Sequence, residues 1–116
     1  MSAEDKPSDL VQGTLYMLIL KTLALEPMHG YGIGTRLEQI SKGVFRVNGG
    51  SLFPALRRLE RDGLITGEWG VTENKRRAKF YAPTAAGRAR LERETRDWQT
   101  QTTAISRILE ASLGEL

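Results

Sequence analysis

Apolar side chains recur at helical spacing in the first half of the chain. They are dense from Leu10 to Leu25, which predicts a helix buried on most sides that ends at Glu26-Pro27, because proline disfavours helix at the residue before it. A second group has helical spacing and predicts a helix that closes at Lys42-Gly43. Its apolar members are Tyr31, Ile33, Leu37 and Ile40.

A third helix is predicted after the turn at Asn48-Gly49-Gly50. Leu52, Leu56 and Leu59 are separated by four and three positions and mark one apolar face of this helix. Gly63 suits the left-handed backbone position that follows a last helical turn, and the next residue can then fold back onto the helix. The third helix is therefore expected to stop at residue 62 or 63.

Beyond the third helix the period of the pattern changes from about 3.6 to 2. Alternation from Ile65 to Trp69 predicts a strand, a second short strand is predicted over residues 79–82, and a polar hairpin loop joins them. Pro83 ends the second strand, and Thr84 is suited to cap a last helix that runs to about Leu113. The predicted fold is mainly α with a small β-hairpin, an α+β arrangement of three helices, a hairpin and one long helix.

Composition limits the classes of protein that fit. A length of 116 residues, 40% of them hydrophobic and 27% charged, is typical of one soluble domain, so a cytoplasmic protein is expected. The longest apolar run, from Leu15 to Leu25, is broken by Lys21 and falls short of the roughly 20 residues of a membrane span. The polar first residues differ from a signal peptide. The absence of cysteine excludes disulfides and thiolate metal sites.

The third helix has two different faces when its residues are placed at 100° intervals. Leucines and Ala55 share one side, whereas three arginines and a proline occupy the other, with Phe53 at the border. A helix held to a core by leucines and presenting arginines outward can enter a DNA major groove, because the arginine fork matches guanine or a phosphate. The residues on the polar side are Pro54, Arg57, Arg58 and Arg61. A solvated helix surface is the alternative interpretation of this face.

The predicted hairpin is the second basic element. Seven cations and four carboxylates lie between residues 57 and 79, an excess that equals the net charge of +3 of the whole chain. Concentration of positive charge on one helix and the following loop is typical of nucleic-acid binding. The hairpin cations are Lys75, Arg76, Arg77 and Lys79.

Other motifs indicate structure rather than chemistry. The glycines in His29-Gly-Tyr-Gly-Ile-Gly lack the spacing of a phosphate-binding loop and follow a helix, so we expect them to allow close packing. His29 is the only histidine and has no partners for a Cys/His metal site or a Ser-His-Asp triad. Neither a catalytic function nor a cofactor is therefore expected.

The last helix carries apolar residues at heptad spacing. Its residues are too many to pack within so small a domain, since about 30 residues span about 45 Å, and we expect self-association along this helix. The expected interface residues are Leu91, Trp98, Ile105, Ile108 and Leu109. Trp98 has Thr95 and Thr102 one turn on either side, so two interpretations stay open: it fills the dimer core, or it lines an aromatic-effector pocket.

These residues together resemble the PadR family of transcriptional regulators, in the short form with one C-terminal helix. The resemblance covers about residues 10–113. It implies a winged helix-turn-helix at 10–83 and a dimerisation helix at 84–116. Residues 1–9 contain Pro7 and no apolar anchor, so a flexible arm is expected there. The segments that carry the resemblance are Gln12-Gly-Thr-Leu, His29-Gly-Tyr-Gly-Ile, Gly50-Ser-Leu-Phe-Pro-Ala-Leu-Arg-Arg-Leu-Glu-Arg-Asp-Gly-Leu-Ile and Arg77-Ala-Lys-Phe-Tyr-Ala-Pro-Thr-Ala-Ala-Gly.

The resemblance also implies roles for particular residues. Those that match the DNA-contacting helix and wing strand of the family are Ser51, Phe53, Pro54, Arg57, Arg58, Lys79 and Tyr81. Phe53 stands where the family usually has tyrosine, which removes a hydroxyl, and Pro83 stands where a leucine is common. The family resemblance further implies repression of nearby genes, with release by phenolic or other hydrophobic compounds in some members.

The sequence thus predicts a homodimer that binds double-stranded DNA at a near-palindromic operator, with a small aromatic effector as an additional ligand. Two other functions are compatible with a basic winged helix. One is a protein-interaction module whose basic face meets an acidic partner, and the other is an RNA-binding protein. The chain lacks a clear aromatic platform for stacking bases, which disfavours RNA.

Overall fold

The computed structural model describes residues 14–115. The helices are α1 (Leu15–Leu25), α2 (Gly30–Ile40), α3 (Gly49–Arg61) and α4 (Ala85–Glu110), followed by a short 3-10 turn (Leu113–Glu115). The strands are β1 (Met28–His29), β2 (Ile65–Val71) and β3 (Arg77–Pro83). The order of three helices, hairpin and long helix confirms the predicted mainly-α fold with a small sheet. The arm expected at residues 1–9, and positions 10–13 of the first predicted helix, lie outside the described residues.

Local side-chain chemistry fixes the starts of α3 and α4. Helix α3 begins at Gly49 rather than after Gly50, so the two glycines assigned to a turn lie in its first helical turn. The Asn48 side chain accepts a hydrogen bond from the Ser51 N–H at the start of α3, and Thr84 accepts one from the Gly87 N–H at the start of α4. Gly43 and Gly63 have φ values of 82° and 75° just beyond α2 and α3. These left-handed positions favour glycine, so both helices stop there.

The sheet is antiparallel, with β3 between β1 and β2. The sequence predicted two strands, whereas Met28 and His29 pair with β3 and form a third strand. A two-residue strand is too short to show a period, which is why the pattern missed it. The hairpin strands are also longer than predicted, because pairing extends into the polar segment as far as Val71 and Arg77.

The three short helices and one end of the sheet enclose the core. Its centre is formed by side chains that are at most 1% exposed, among them Ile19, Leu23, Ile33, Leu56 and Ile65. No helix within residues 14–115 is long and apolar enough to cross a membrane.

Helix α4 starts on this core and then leaves it. Leu91 packs against the core, but the side chains of Ile105, Ile108 and Leu109 are exposed. The helix ends at Glu110, three residues before the predicted end. Its 26 residues correspond to about 39 Å, and among residues 14–115 nothing covers the apolar side chains of its C-terminal half.

Candidate nucleic-acid interface

Helix α3 is amphipathic, with the same buried and exposed faces that the spacing of its residues predicts. Leu52, Ala55, Leu56 and Leu59 are buried. The opposite side is exposed and carries Pro54, Arg57, Arg58 and Arg61. Leucine packing therefore fixes the rotation of α3 about its own axis, and that rotation presents the arginines to solvent.

The arginine face forms one wall of a cleft of about 460 Å³. The other walls come from Tyr16 on α1 and from the segment before α3, including Arg46. Sequence reasoning missed Tyr16, because only the folded chain brings it beside α3, and it missed Arg46, which lies three residues before that helix. The position of Arg46 just before a helix is a sequence signal for an anion site, because a helix N-terminus attracts anions and a neighbouring cation adds to that attraction.

Within the cleft the arginines differ in their pairing. Arg46 contacts Glu38 at 3.0 Å, and Arg58 contacts Asp62 at 3.6 Å one turn further along α3. Among the described residues, Arg57 and Arg61 form no ion pair. These two guanidinium groups keep their full charge and donors for an external anion.

The hairpin loop presents its cations on a tight turn. The N–H of Thr72 donates to the Arg76 carbonyl at 2.8 Å, and the N–H of Lys75 donates back to the Thr72 carbonyl at 2.9 Å. Lys75 has a φ of 60°, a left-handed conformation that non-glycine residues rarely adopt. Lys75, Arg76 and Arg77 are all exposed, so the loop is a basic tip as predicted.

Lys79 and Tyr81 occupy different positions from those expected of direct DNA contacts. The Lys79 ammonium donates to Glu60 of α3 at 2.7 Å, and this hydrogen bond is the main cause that raises the pKa of Lys79 above its ordinary value. Tyr81 is 7% exposed and belongs to the core. Burial raises the pKa of Tyr81, because it disfavours the phenolate. The structure therefore corrects the expectation that Tyr81 reaches DNA.

Phe53 and Ser51 lie at the border of the α3 face. The Phe53 ring is half-buried and meets the ring of Tyr31 edge to face, with 5.5 Å between ring centres. A Cβ on Gly30 would lie 2.5 Å from Phe53, so this glycine does permit close packing. Ser51 is half-buried at the rim of the cleft.

His29 has the structural role expected of it. Its Nδ1 accepts a hydrogen bond from the Gly32 N–H at 3.2 Å and so caps the start of α2. Its ring also meets Phe80 edge to face. No group of three or more potential metal ligands occurs within residues 14–115.

The expected dimer and effector residues lie along α4. Trp98 is 44% exposed and lines a groove of about 220 Å³ with Tyr16 and Met17 of α1. Thr95 and Thr102 do not line this groove, and their hydroxyls donate to backbone carbonyls one turn earlier at 2.7 and 3.0 Å.

Comparison with known proteins gives the family. The family model described as "Transcriptional regulator PadR-like family" matches residues 19–93. The chain is 37% identical over 78 residues to "Transcriptional regulator Rv3488" of Mycobacterium tuberculosis, which covers 67% of this chain and 69% of that protein. It is 44% identical, also over 78 residues, to an uncharacterized 37.1 kDa protein in transposon TN4556 of Streptomyces fradiae. That match covers 67% of this chain but only 21% of the Streptomyces protein.

Comparison with a solved structure supports the same family. The crystal structure of a PadR family transcriptional regulator from Eggerthella lenta superposes with a TM-score of 0.77 at 31% identity, over 90% of this chain and 88% of that one. Residues 19–93, which the family model matches, include all of α3 and the whole hairpin. The chain belongs to the PadR-like family, whose members are transcriptional regulators rather than enzymes.

Proposed function

We propose that this chain is a homodimeric repressor that binds a near-palindromic operator in double-stranded DNA. The observation that carries the proposal is the exposed arginine face of α3, which lines a cleft, together with the basic hairpin that Lys79 ties to α3 through Glu60. Two arginines of this face, Arg57 and Arg61, form no ion pair within the described residues. Repression is what the family resemblance implies.

The contacts divide by their chemistry. Arg57, Arg58 and Arg61 would enter the major groove, where arginine reads guanine through two hydrogen bonds. Lys75 and Arg76 would lie on the adjacent backbone and contribute affinity without sequence preference, with Arg77 beside them on the same hairpin. Ser51, Phe53 and Pro54 would border the groove at the start of α3. Lys79 would hold the hairpin against α3 through Glu60 rather than bind phosphate.

The experiment is a gel-shift titration with the DNA upstream of the protein's own gene. Arg57→Ala should weaken specific binding by about tenfold or more, which is the cost of one bidentate base contact. Arg93→Ala is the matched control, because Arg93 is an exposed arginine on α4 away from the cleft. Equal loss in both variants, or no binding of any duplex, would instead favour a protein-interaction module.

We also propose that Trp98 is the contact for a small aromatic effector between two copies of α4. Its indole is partly exposed beside a groove, and a flat ring suits stacking with an aromatic compound. The effector must bind the DNA-free arrangement more tightly than the DNA-bound one in order to release the operator. Titration of small aromatics into a Trp69→Phe variant tests this, since quenching of Trp98 and loss of DNA affinity should then occur together. If neither occurs, Trp98 only fills the dimer core.

A further inference from the structure

The outer half of the hairpin exposes two large apolar side chains. Trp69 is 62% exposed and Val71 is 67% exposed, and both lie on the face of β2 that begins with the buried Ile65. The register places Trp69 opposite Lys79, and Lys79 reaches Glu60 of α3. The exposed pair is therefore on the side of the hairpin that faces α3.

Trp69 has a specific contact on this face. The guanidinium carbon of Arg77 lies 4.7 Å from the centre of the indole ring, at the distance of a cation–π interaction. Arg77 is exposed on the neighbouring strand, and the contact is diagonal across the two strands. The indole thus restrains a flexible arginine and fixes where its charge points.

The charge around Trp69 identifies the partner. The hairpin tip carries Lys75, Arg76 and Arg77, so an anionic surface complements this part of the hairpin. The minor groove of DNA combines a negative floor with walls of deoxyribose, which match a stacked arginine and an apolar ring. The groove narrows at A·T runs, and its more negative potential there attracts arginine.

We infer that Trp69 is a positioning residue that holds Arg77 for insertion into the DNA minor groove beside the segment read by α3. The operator would then be selected for a narrow, A·T-rich groove at positions that α3 does not touch. This inference rests on the proposed function, because it assigns a second determinant of specificity to the same interface.

The test is a competition titration of the full-length protein with three versions of its upstream DNA. The base pairs that flank the α3 footprint are A·T in the first version, G·C in the second and inosine·C in the third. Inosine lacks the amino group that guanine places in the minor groove. Only the G·C version therefore has amino groups that obstruct the minor groove. Wild-type protein should bind the G·C version about three- to tenfold more weakly than the other two, because the guanine amino group occupies the floor of the minor groove that Arg77 would enter.

Substitutions at Trp69 show whether its aromatic face or only its apolar bulk is needed to position Arg77. Trp69→Tyr keeps an aromatic face and should keep the discrimination. Trp69→Leu keeps apolar bulk without that face and should bind all three versions alike, as should Arg77→Ala. Arg76→Ala is the charge control and should weaken all three equally. Thermal melting of each variant confirms the fold, which an exposed side chain should barely affect.

The outcomes distinguish the inference from the function on which it rests. Specific binding that ignores the flanking pairs would overturn the inference and leave the proposed function intact. Failure to bind any version would overturn the proposed function. If Trp69→Leu changed the sedimentation of the free protein and left groove preference unchanged, the apolar pair would be a contact between copies, and the inference would be wrong.

Discussion

Glu60 on α3 and Lys79 on β3 are joined by a hydrogen bond of 2.7 Å across 19 positions of the chain. This contact ties the helix that carries the arginine face to the hairpin that carries the basic tip. Both side chains are partly buried, and the Lys79 ammonium also lies 5.8 Å from the centre of the Tyr81 ring. The contact therefore sets the position of the hairpin relative to α3, while it neutralises the charge of Lys79.

The ion pair predicts a difference between two hairpin cations. Lys79→Gln should weaken DNA binding, because the hairpin loses its tie to α3, but it should leave the salt dependence of affinity unchanged. Arg76→Ala should reduce the slope of log affinity against log salt by about 1, because a free cation that neutralises one phosphate releases one counterion. Titrations at several salt concentrations measure both slopes. A reduced slope in Lys79→Gln would show that Lys79 contacts phosphate after all.

The same region predicts a loss of stability at high pH. The pKa values of Lys79 and Tyr81 are raised above their ordinary values of 10.5 and 10.0. Both groups favour the folded state when protonated, so their contribution is present below pH 10 and declines as the pH rises through the folded values. Melting temperatures between pH 8 and pH 11 should fall toward the upper end, and Tyr81→Phe should flatten the fall. A melting temperature that does not change with pH would contradict the assignment.

Helix α4 predicts an assembly that depends on exposed residues. Ile105 and Leu109 are 51% and 80% exposed in the single chain, so aspartate at both positions should leave the fold of the chain unchanged. In a dimer the same charges would be buried without partners, and the double variant should be monomeric. Sedimentation at micromolar concentration measures this, with Thr103→Asp as a control on another exposed position of α4. A wild-type monomer would rule out the proposed interface.

Much of this architecture is readable from the sequence, and the exceptions have physical reasons. The buried face of α3 and the cap at Thr84 depend on neighbours within a few residues, so spacing and residue type predict them. The tie between Glu60 and Lys79 depends on how the hairpin packs against α3, and a lysine in a basic loop looks the same whether it is free or paired. Tyr81 is likewise assigned to the core only once β1 is known to pair beside it.

Gly87 provides a last prediction, at the junction between the core and α4. It is buried in the first turn of the helix. The Thr84 hydroxyl accepts a hydrogen bond from the Gly87 N–H and donates one to the Gly63 carbonyl at 2.7 Å. A Cβ at position 87 would overlap the backbone carbonyl of Leu64, which cannot turn aside as a side chain can. The Thr84 N–H donates to that same carbonyl at 3.1 Å, so the carbonyl is held in place.

Gly87→Ala should lower the free energy of unfolding, although alanine has the higher helix propensity. Alanine in a helix interior is ordinarily better than glycine by roughly 0.5–1 kcal/mol, whereas overpacking costs about 1–3 kcal/mol. Because the obstacle is backbone, overpacking should win, and urea denaturation should show a lower free energy of unfolding. Gly34→Ala is the matched control, since a Cβ there meets its nearest neighbour at an ordinary 3.7 Å and should be neutral or stabilising. Equal stability of Gly87→Ala and wild type would mean that α4 can move off the core at little cost.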